Sequence, residues 1–352
     1  MVPRFVGRSN LDRWRYGGII IDPLVFPVNM AKKSMMTRKP QPAPLRLWFH
    51  IDPTNSTNYV DLALACSVAG RRFLRQGSSF AVSGMTLHTD DTVTGSFDVS
   101  KVPDTWMAQQ AHNKSKMLWM ASQDQVLDDQ PSVAARYRDF KVYLDANMTT
   151  SALQDVSGNA ATDNEIMLPV DRQNFTAKPG EWVYSQLQLP VDGGSAAPGE
   201  YNLHFVGSDT ATSLGMISGY AKSRSRPQTI EPNTPTDGGW MLEVFDVADN
   251  LDEIRQDVTD NNDVPPYRVG DETSADEFYP GGVNNQPSTA LHSVNFVSGT
   301  TVGGKTRVEG GIFGCGLIRF DWSFTTVPES GSMFLAIDLL PGTYKGYLTE
   351  AY

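Results

Sequence analysis

Cysteine is scarce in this chain of 352 residues, and its two cysteines are Cys66 and Cys315. Both lie in apolar segments, which favours buried free thiols over a disulfide or a metal-binding pair. Long apolar runs are missing too: the longest early one, 19–21, is far too short to cross a bilayer, and no apolar core follows the first basic residues. We therefore expect no membrane insertion and no export through a secretory signal.

Catalytic signatures are also missing. No HExxH, CxxC or GxSxG pattern occurs, and the five histidines show no metal-ligand spacing. The segment 299–306 matches the phosphate-loop pattern GxxxxGK(S/T), but that loop requires a helix directly after it, and the following residues are rich in glycine without a helical period. We interpret the segment as a glycine-rich hairpin turn, and we expect no enzyme, no catalytic residue and no cofactor.

One segment, 243–277, is strongly acidic, because twelve carboxylates stand against two arginines for a net charge of −10. Asp257, Asp260 and Asp263 lie within it and would be the candidate ligands for Ca²⁺, but the glycine and the terminal glutamate of an EF-hand loop are missing. We favour a solvated acidic surface over a cation site. We therefore expect no metal site, although the cation alternative for these three aspartates stays open.

Apolar residues at every second position are the main feature that the chain does have. They predict roughly eight to ten strands, beginning with 45–50, 60–68, 80–88 and 92–99 and continuing through 201–205 and 291–297. The last long apolar stretch, 312–348, contains two such runs, 318–324 and 333–340, joined by a short connection. We predict that these two runs form a hairpin that a second sheet covers.

A single helical region interrupts this pattern near 104–138. Asp104 is suited to be its N-cap, Trp106 and Met117 lie in the following turns, and a short second helix is predicted at 131–137. Alternating βα units are absent, which argues against a doubly wound fold. The sequence predicts an all-β fold: a single jelly-roll β-sandwich with a helical insertion and long loops. A double jelly roll, which would need about sixteen strands, is the alternative.

The first 44 residues are rich in proline and poor in periodic apolar positions, which indicates an extended basic N-terminal arm ahead of a body at 45–352. Residues 1–39 carry a net charge of +6, so the remaining residues carry −17 of the total of −11. The candidate contacts to a polyanion are the basic residues of the arm and a short cluster in a later loop: Arg4, Arg8, Arg13, Arg15, Lys32, Lys33, Arg38 and Lys39, with Lys222, Arg224 and Arg226. A solvated tail and an ordinary exposed loop are the alternatives.

Two short segments resemble a known family. DFKVYLD at 139–145 and LLPGTYKG at 339–346 are similar to segments in the capsid proteins of small circular Rep-encoding single-stranded DNA viruses. The resemblance implies a jelly-roll coat protein that assembles with itself inside the host cell into an icosahedral virion enclosing genomic single-stranded nucleic acid. The arm departs from the family pattern, because it holds only eight basic residues in 39 where such arms are often dense in arginine.

Two other functions compete with this interpretation. In a carbohydrate-binding or adhesin-like β-sandwich, loop aromatics such as Trp240 and Tyr279 would stack on sugars. In an enzyme built on a β scaffold, 299–306 would be the nucleotide site. A glycan array would test the first alternative, and nucleotide binding by a Lys305→Ala variant would test the second.

Overall fold

The structure, a computed structural model, describes residues 43–51, 56–129, 131–133, 139–154, 164–170, 178, 182–189, 199–223, 288–298, 304–325 and 333–352. All of them belong to the unit Pro40–Tyr352. This part of the chain is mostly β, with several antiparallel or mixed sheets and a few helices, so the all-β prediction is confirmed at that level.

The described strands are, in chain order, β1 (Arg46–Ile51), β2 (Thr57–Asp61), β3 (Ser78–His88), β4 (Gly95–Lys101), β5 (Tyr143–Asp145), β6 (Ala152–Leu153), β7 (Asn164–Ile166), β8 (Gln186–Leu189), β9 (Gly199–Val206), β10 (Ser213–Gly215), β11 (Ala290–Val297), β12 (Lys305–Phe313), β13 (Leu317–Phe324), β14 (Met333–Leu339), β15 (Pro341–Tyr344) and β16 (Thr349–Ala351). The helices are α1 (Leu62–Gly70), α2 (Trp106–Asp129), α3 (Ala146–Thr150) and α4 (Met216–Lys222), with 3₁₀ turns at Pro131–Val133 and Gly314–Gly316.

Three sheets contain fifteen of these strands, and β15 belongs to none of them. Sheet A has the order β1-β14-β3-β12, with β16 also paired to β3, and every pair is antiparallel. Sheet B has the order β11-β4-β13-β2-β7-β6; its first four strands are antiparallel, and β7 and β6 continue it in parallel. Sheet C is small and mixed, with β9 at its centre paired to β5, β8 and β10.

Sheets A and B both contribute to the hydrophobic core. In sheet A, every second residue of β14 is buried, namely Met333, Leu335, Ile337 and Leu339. In sheet B, Phe97 and Trp322 are register partners whose rings lie 5.0 Å apart. These side chains belong to one cluster of buried residues that also includes Leu203 and Phe205 of sheet C, so the small sheet is packed against the same core.

Asp61 ends β2 and begins α1. Its Oδ1 accepts the backbone N–H groups of Ala63 at 2.9 Å and Leu64 at 3.1 Å, which makes it the N-cap of the helix. The strand predicted at 60–68 is therefore wrong beyond Asp61. Leu62 to Cys66 are buried without exception, so the apolar residues of this segment fit a helical and a strand period equally well.

Within the helical region predicted near 104–138, the first helix is confirmed as α2, with one correction at its start. Thr105 Oγ1 accepts the N–H of Ala108 at 3.3 Å, and the Thr105 carbonyl accepts the N–H of Gln109. The cap therefore lies at Thr105, one residue later than the predicted Asp104. Of the predicted second helix, Pro131–Val133 forms a 3₁₀ turn, and the rest lies outside the described residues.

The hairpin predicted within 312–348 is wrong. β13 pairs with β2 and β4 in sheet B, whereas β14 pairs with β1 and β3 in sheet A. The two strands are neighbours in sequence but lie in different sheets, so each finds its hydrogen-bond partners far away along the chain. The alternation predicted for each strand is nevertheless present, because each strand buries one face.

Candidate assembly surface and nucleic-acid contacts

Most of the predicted nucleic-acid contacts lie outside the described residues. These are the eight basic residues of the arm together with Arg224 and Arg226: Arg4, Arg8, Arg13, Arg15, Lys32, Lys33, Arg38 and Lys39. The same holds for Asp257, Asp260 and Asp263 and for Trp240 and Tyr279. The structure therefore places one predicted contact, Lys222.

Lys222 lies in the last turn of α4, where a positive charge is favourable next to the carbonyl end of a helix. Its Nζ is 3.8 Å from Oδ2 of Asp209, whose Oδ1 accepts the N–H of Gly215 at 2.7 Å. Sequence reasoning missed a second lysine here: Lys114 of α2 donates to Ser223 Oγ at 3.1 Å. Both ammonium groups have partners within the fold, which weakens the case for Lys222 as a phosphate contact.

The segment 299–306 does not continue into a helix. Lys305 begins strand β12, so the prediction that the phosphate-loop match lacks its helix is confirmed. The interpretation of the segment as a hairpin turn is wrong, because β11 pairs with β4 in sheet B and β12 pairs with β3 in sheet A. Gly304 is needed for its backbone: its φ is +61°, and an added Cβ would lie 2.1 Å from the carbonyl oxygen of Thr89.

A row of exposed apolar side chains follows β11, the edge strand of sheet B. Leu291, Val294 and Phe296 are 60, 48 and 76% exposed. Their register partners on β4 are Ser100, Asp98 and Ser96, which alternate with the buried Val99 and Phe97. A shift in register at His292 keeps Leu291 on the same face as the other two. We call these three residues the β11 row.

The β11 row lies along an edge of sheet B as the described residues form it. β11 ends sheet B and, within the described residues, pairs on one side alone. An exposed edge strand offers unpaired N–H and C=O groups for further association, and proteins commonly protect such edges with charge. The three largest outward side chains of β11 are apolar instead, which is typical of a surface that a partner covers.

Buried and partly buried polar groups on one face of sheet B are bonded to one another. Arg319 of β13 donates to Asp145 at 2.7 Å and to Asp321 at 2.8 Å. Tyr59 of β2 also donates to Asp145, at 2.9 Å, and Asp145 caps α3. The cluster therefore ties sheet B to the segment that carries β5 and α3. Its donors and carboxylates satisfy one another, as a buried structural network requires.

Asp61 forms a second buried polar centre. Besides capping α1, it accepts hydrogen bonds through Oδ2 from Gln76 at 2.9 Å and from the Tyr184 hydroxyl at 3.2 Å. Burial raises the pKa of Asp61 to about 6, although these four hydrogen bonds favour the carboxylate. The carboxylate therefore changes charge within a mildly acidic range, which affects stability rather than any visible chemistry.

Cys66 and Cys315 are free and buried, as predicted. Burial raises the pKa of Cys66 to about 12 and that of Cys315 well above its ordinary value. Thiolates are the reactive form of cysteine, so neither side chain is poised for nucleophilic or redox chemistry near neutral pH.

Among the described residues there is neither a metal-binding cluster nor a membrane-spanning helix. No group of three or more His, Cys, Asp or Glu side chains among them is placed to hold a metal ion. No helix in this described part is both long and apolar enough to span a membrane. Comparison with protein-family models, with curated proteins and with solved structures finds no match.

Proposed function

We propose that the chain is the coat subunit of a small icosahedral virus, a jelly-roll protein that assembles with itself into a closed shell around single-stranded DNA. The observation that carries the proposal is strand order. Eight strands form two antiparallel four-stranded sets, β1-β14-β3-β12 and β11-β4-β13-β2. Along the chain, β1 to β4 alternate between sheets A and B, β11 follows in B, and β12 to β14 alternate again. Two interlocked Greek keys of this kind are the pattern of a jelly roll, an architecture that viral capsid proteins use.

The other described elements favour a single jelly roll over a double one. Strands β5 to β10 and helices α2 to α4 all lie between β4 and β11 in the chain. They form sheet C, extend sheet B by β7 and β6, and supply the helical insertion. They do not form a second pair of four-stranded antiparallel sheets, so they correspond to one long insertion between two strands of sheet B.

Self-assembly is the role that the β11 row supports. A shell subunit must bury apolar surface against identical neighbours, and apolar side chains beside an open sheet edge serve this purpose. A second copy of this chain is therefore the proposed occupant. Burial of each side chain would contribute on the order of 1–2 kcal/mol before the entropy cost of association.

The test is the size of the purified full-length protein, measured by light scattering and negative-stain electron microscopy across salt and pH. We expect closed particles from the native sequence. Phe296→Asp should abolish them while circular dichroism stays unchanged, because the carboxylate would be buried between copies. Val183→Asp, at an exposed apolar position outside the β11 row, is the matched control and should still assemble.

Two outcomes would count against this proposal. A native protein that stays monomeric under all conditions would refute the coat function. Particles that form equally well with Phe296→Asp would leave the coat function standing but remove the β11 row as its interface.

The basic arm is proposed to contact the packaged strand. Its net charge of +6 would release counterions from phosphates without sequence preference, so the contact should weaken with salt. Deletion of residues 2–39 should then give shells that assemble without nucleic acid. If the arm instead clamps neighbouring subunits, the deletion should give failed or mis-sized shells, and a full nucleic-acid content in deleted shells would refute the genome contact.

A further inference from the structure

The face of sheet A that points away from the core carries aromatic and basic side chains side by side. Strand register places Trp48, Ala336, Thr86 and Arg307 in one row across four strands. The next row contains His50, Phe334, His88 and Lys305. The intervening residues Leu47, Phe49, Leu335 and Leu87 are buried, which fixes these two rows on the opposite face.

A partly exposed ring pair lies at the centre of this face. Trp48 is 36% exposed, and its ring centroid is 5.1 Å from that of His88, with the planes tilted by 46°. Trp48 and His88 lie on a diagonal across β14, and the small side chain of Ala336, the register partner of Trp48, leaves room for the rings to meet. Behind them, His50 and Phe334 form an edge-on pair at 5.6 Å. The Trp48–His88 pair therefore gives a tilted aromatic platform, and its exposed ring faces are of the kind on which a base stacks.

Positive charge borders the platform. Lys305 and Arg307 are exposed, and neither forms an ion pair with any residue that the structure describes. The acidic groups on this face, Asp338 and Glu309, lie in the third row, where Arg46 already binds Asp338 through two hydrogen bonds at 2.5 and 2.7 Å. The two rows that contain Lys305 and Arg307 therefore hold no carboxylate, whereas Glu309 lies beside Arg307 in the third row.

The positive side chains near His88 affect its pKa. Its pKa is lowered first by burial and then by the positive charges of Lys305 and Arg46. The imidazole is consequently neutral at pH 7, so it adds stacking surface rather than another charge. The contributions of Lys305 and Arg46 also show that positive side chains lie close to this point of a chain whose body is acidic.

We propose that this face of sheet A, with Trp48, His88, Lys305 and Arg307, binds single-stranded nucleic acid. Bases would stack on the Trp48–His88 pair, and the two cations would contact the phosphates on either side. Trp48 and Arg307 are three strand spacings apart, about 14 Å, which leaves room for a base and its neighbouring phosphates. The proposal rests on the proposed function for the biological source of that strand, but the binding surface is built from sheet A alone.

Single-stranded rather than double-stranded nucleic acid fits the platform, because paired and stacked bases present only their edges to a protein. Binding should be independent of sequence, since any base has a face to stack and the phosphates carry no sequence information.

The experiment uses the full chain and a fluorescein-labelled oligothymidylate, with affinity measured by fluorescence anisotropy over a series of salt concentrations. In Lys305→Gln/Arg307→Gln, the slope of log affinity against log salt should become shallower by about 1.4, because each lost phosphate contact accounts for about 0.7 on a single strand. The control Arg75→Gln/Lys178→Gln removes one exposed arginine and one exposed lysine elsewhere and should leave the slope unchanged.

The stacking part of the proposal has its own variant. Trp48→Ala should weaken binding of the oligothymidylate at least fivefold at any salt concentration. The same variant should bind an abasic oligonucleotide as well as the native protein does, because no base remains to stack. Circular dichroism confirms in each case that the variant is folded.

Several results would overturn this inference. One is an unchanged salt slope in Lys305→Gln/Arg307→Gln, and another is an equal loss in the control pair. A Trp48→Ala protein that loses binding to a neutral oligosaccharide but keeps its affinity for oligothymidylate would identify a sugar platform instead. Light scattering of the same samples separates the two proposals. If the variants lose nucleic-acid binding as expected but the native protein forms no particles, the coat function is refuted and the nucleic-acid face is supported.

Discussion

His112 should make the protein sensitive to acid, and the structure sets the size of the effect. The ring, on α2, is 2% exposed and is surrounded by aromatic side chains. It stacks on Phe205 at 5.6 Å with planes 10° apart, and it meets Phe140 and Tyr352 at 5.4 Å each. Burial, with a smaller contribution from the charge of Lys116, lowers the pKa of His112 to about 3.

Whether acid stabilises or destabilises the fold through this group depends on which state, folded or unfolded, binds the proton at the higher pH. The pKa of this imidazole is 6.5 in the ordinary, unfolded condition and about 3 in the folded protein, so acid protonates the unfolded chain first. The contribution of His112 to stability is therefore complete above pH 6.5 and is lost as the pH falls toward 3. Between pH 7 and pH 5 the loss from this single group is about 1.9 kcal/mol.

The measurement is urea unfolding at pH 7 and pH 5, performed in the Phe296→Asp background so that assembly does not contribute. Replacement of His112 by Phe keeps the aromatic stack but removes the titrating group. The free energy of unfolding of His112→Phe, relative to its parent, should rise by about 1.9 kcal/mol between pH 7 and pH 5. Phe205→Leu disturbs the same packing without a titrating group, so its difference from the parent should not change with pH. Parallel pH profiles for the parent and His112→Phe would refute the reasoning.

Three further predictions concern stability. Burial raises the pKa of Asp61 from 3.8 to about 6, so the contribution of its protonated form to stability is complete below pH 3.8 and is lost as the pH rises through 6. In urea unfolding, the free energy of unfolding of Asp61→Asn should therefore gain about 1.3 kcal/mol over that of its parent between pH 5 and pH 7. The absence of such a gain would contradict this prediction. Arg319→Met should cost about 2–4 kcal/mol by leaving the Asp145 carboxylate unpaired, and the double variant with Asp145→Asn should recover part of that loss in thermal unfolding. Gly304→Val should lower stability by more than about 1 kcal/mol because of its positive φ and its close backbone contact, whereas Gly77→Ala, which has open space around it, should be near neutral.

Local patterns predicted individual elements well where one face of an element is buried and the other is not. Strands β1, β3, β9 and β11 and helix α2 appear where alternation or helical spacing placed them. The predicted strand was wrong where every side chain of the segment is buried. From Leu62 to Cys66 every side chain is inside, so periodicity carries no information, and the capping bonds of Asp61 decide in favour of a helix.

Pairing between distant strands could not be read from the sequence. β13 and β14 follow each other in the chain, yet β14 pairs with β1 about 290 residues earlier, as the bond from Arg46 to Asp338 records. The platform on sheet A depends on the same long-range register, because it brings Trp48 next to His88 and within three strands of Arg307. A signal was present in the alternation of exposed Lys305, Arg307 and Glu309, but it had no meaning without knowledge of the neighbouring strands.

The net charge of the chain does not prevent contact with a polyanion, because charge acts locally. At about 0.1 M salt, charges more than about 10 Å apart are largely screened from each other. The net charge of −17 on residues 40–352 therefore affects the binding of a phosphate less than the side chains directly beneath that phosphate do. On sheet A those side chains are Lys305 and Arg307, whereas Asp98 and Asp321 are register partners on the outward face of sheet B. Arg319 offsets Asp321 on that face, which leaves Asp98 of sheet B to compare with the two cations of sheet A, so a strand of nucleic acid that meets both faces should settle on sheet A. In an assembled shell, this difference would orient sheet A toward the genome and leave the β11 row of sheet B for contacts between subunits.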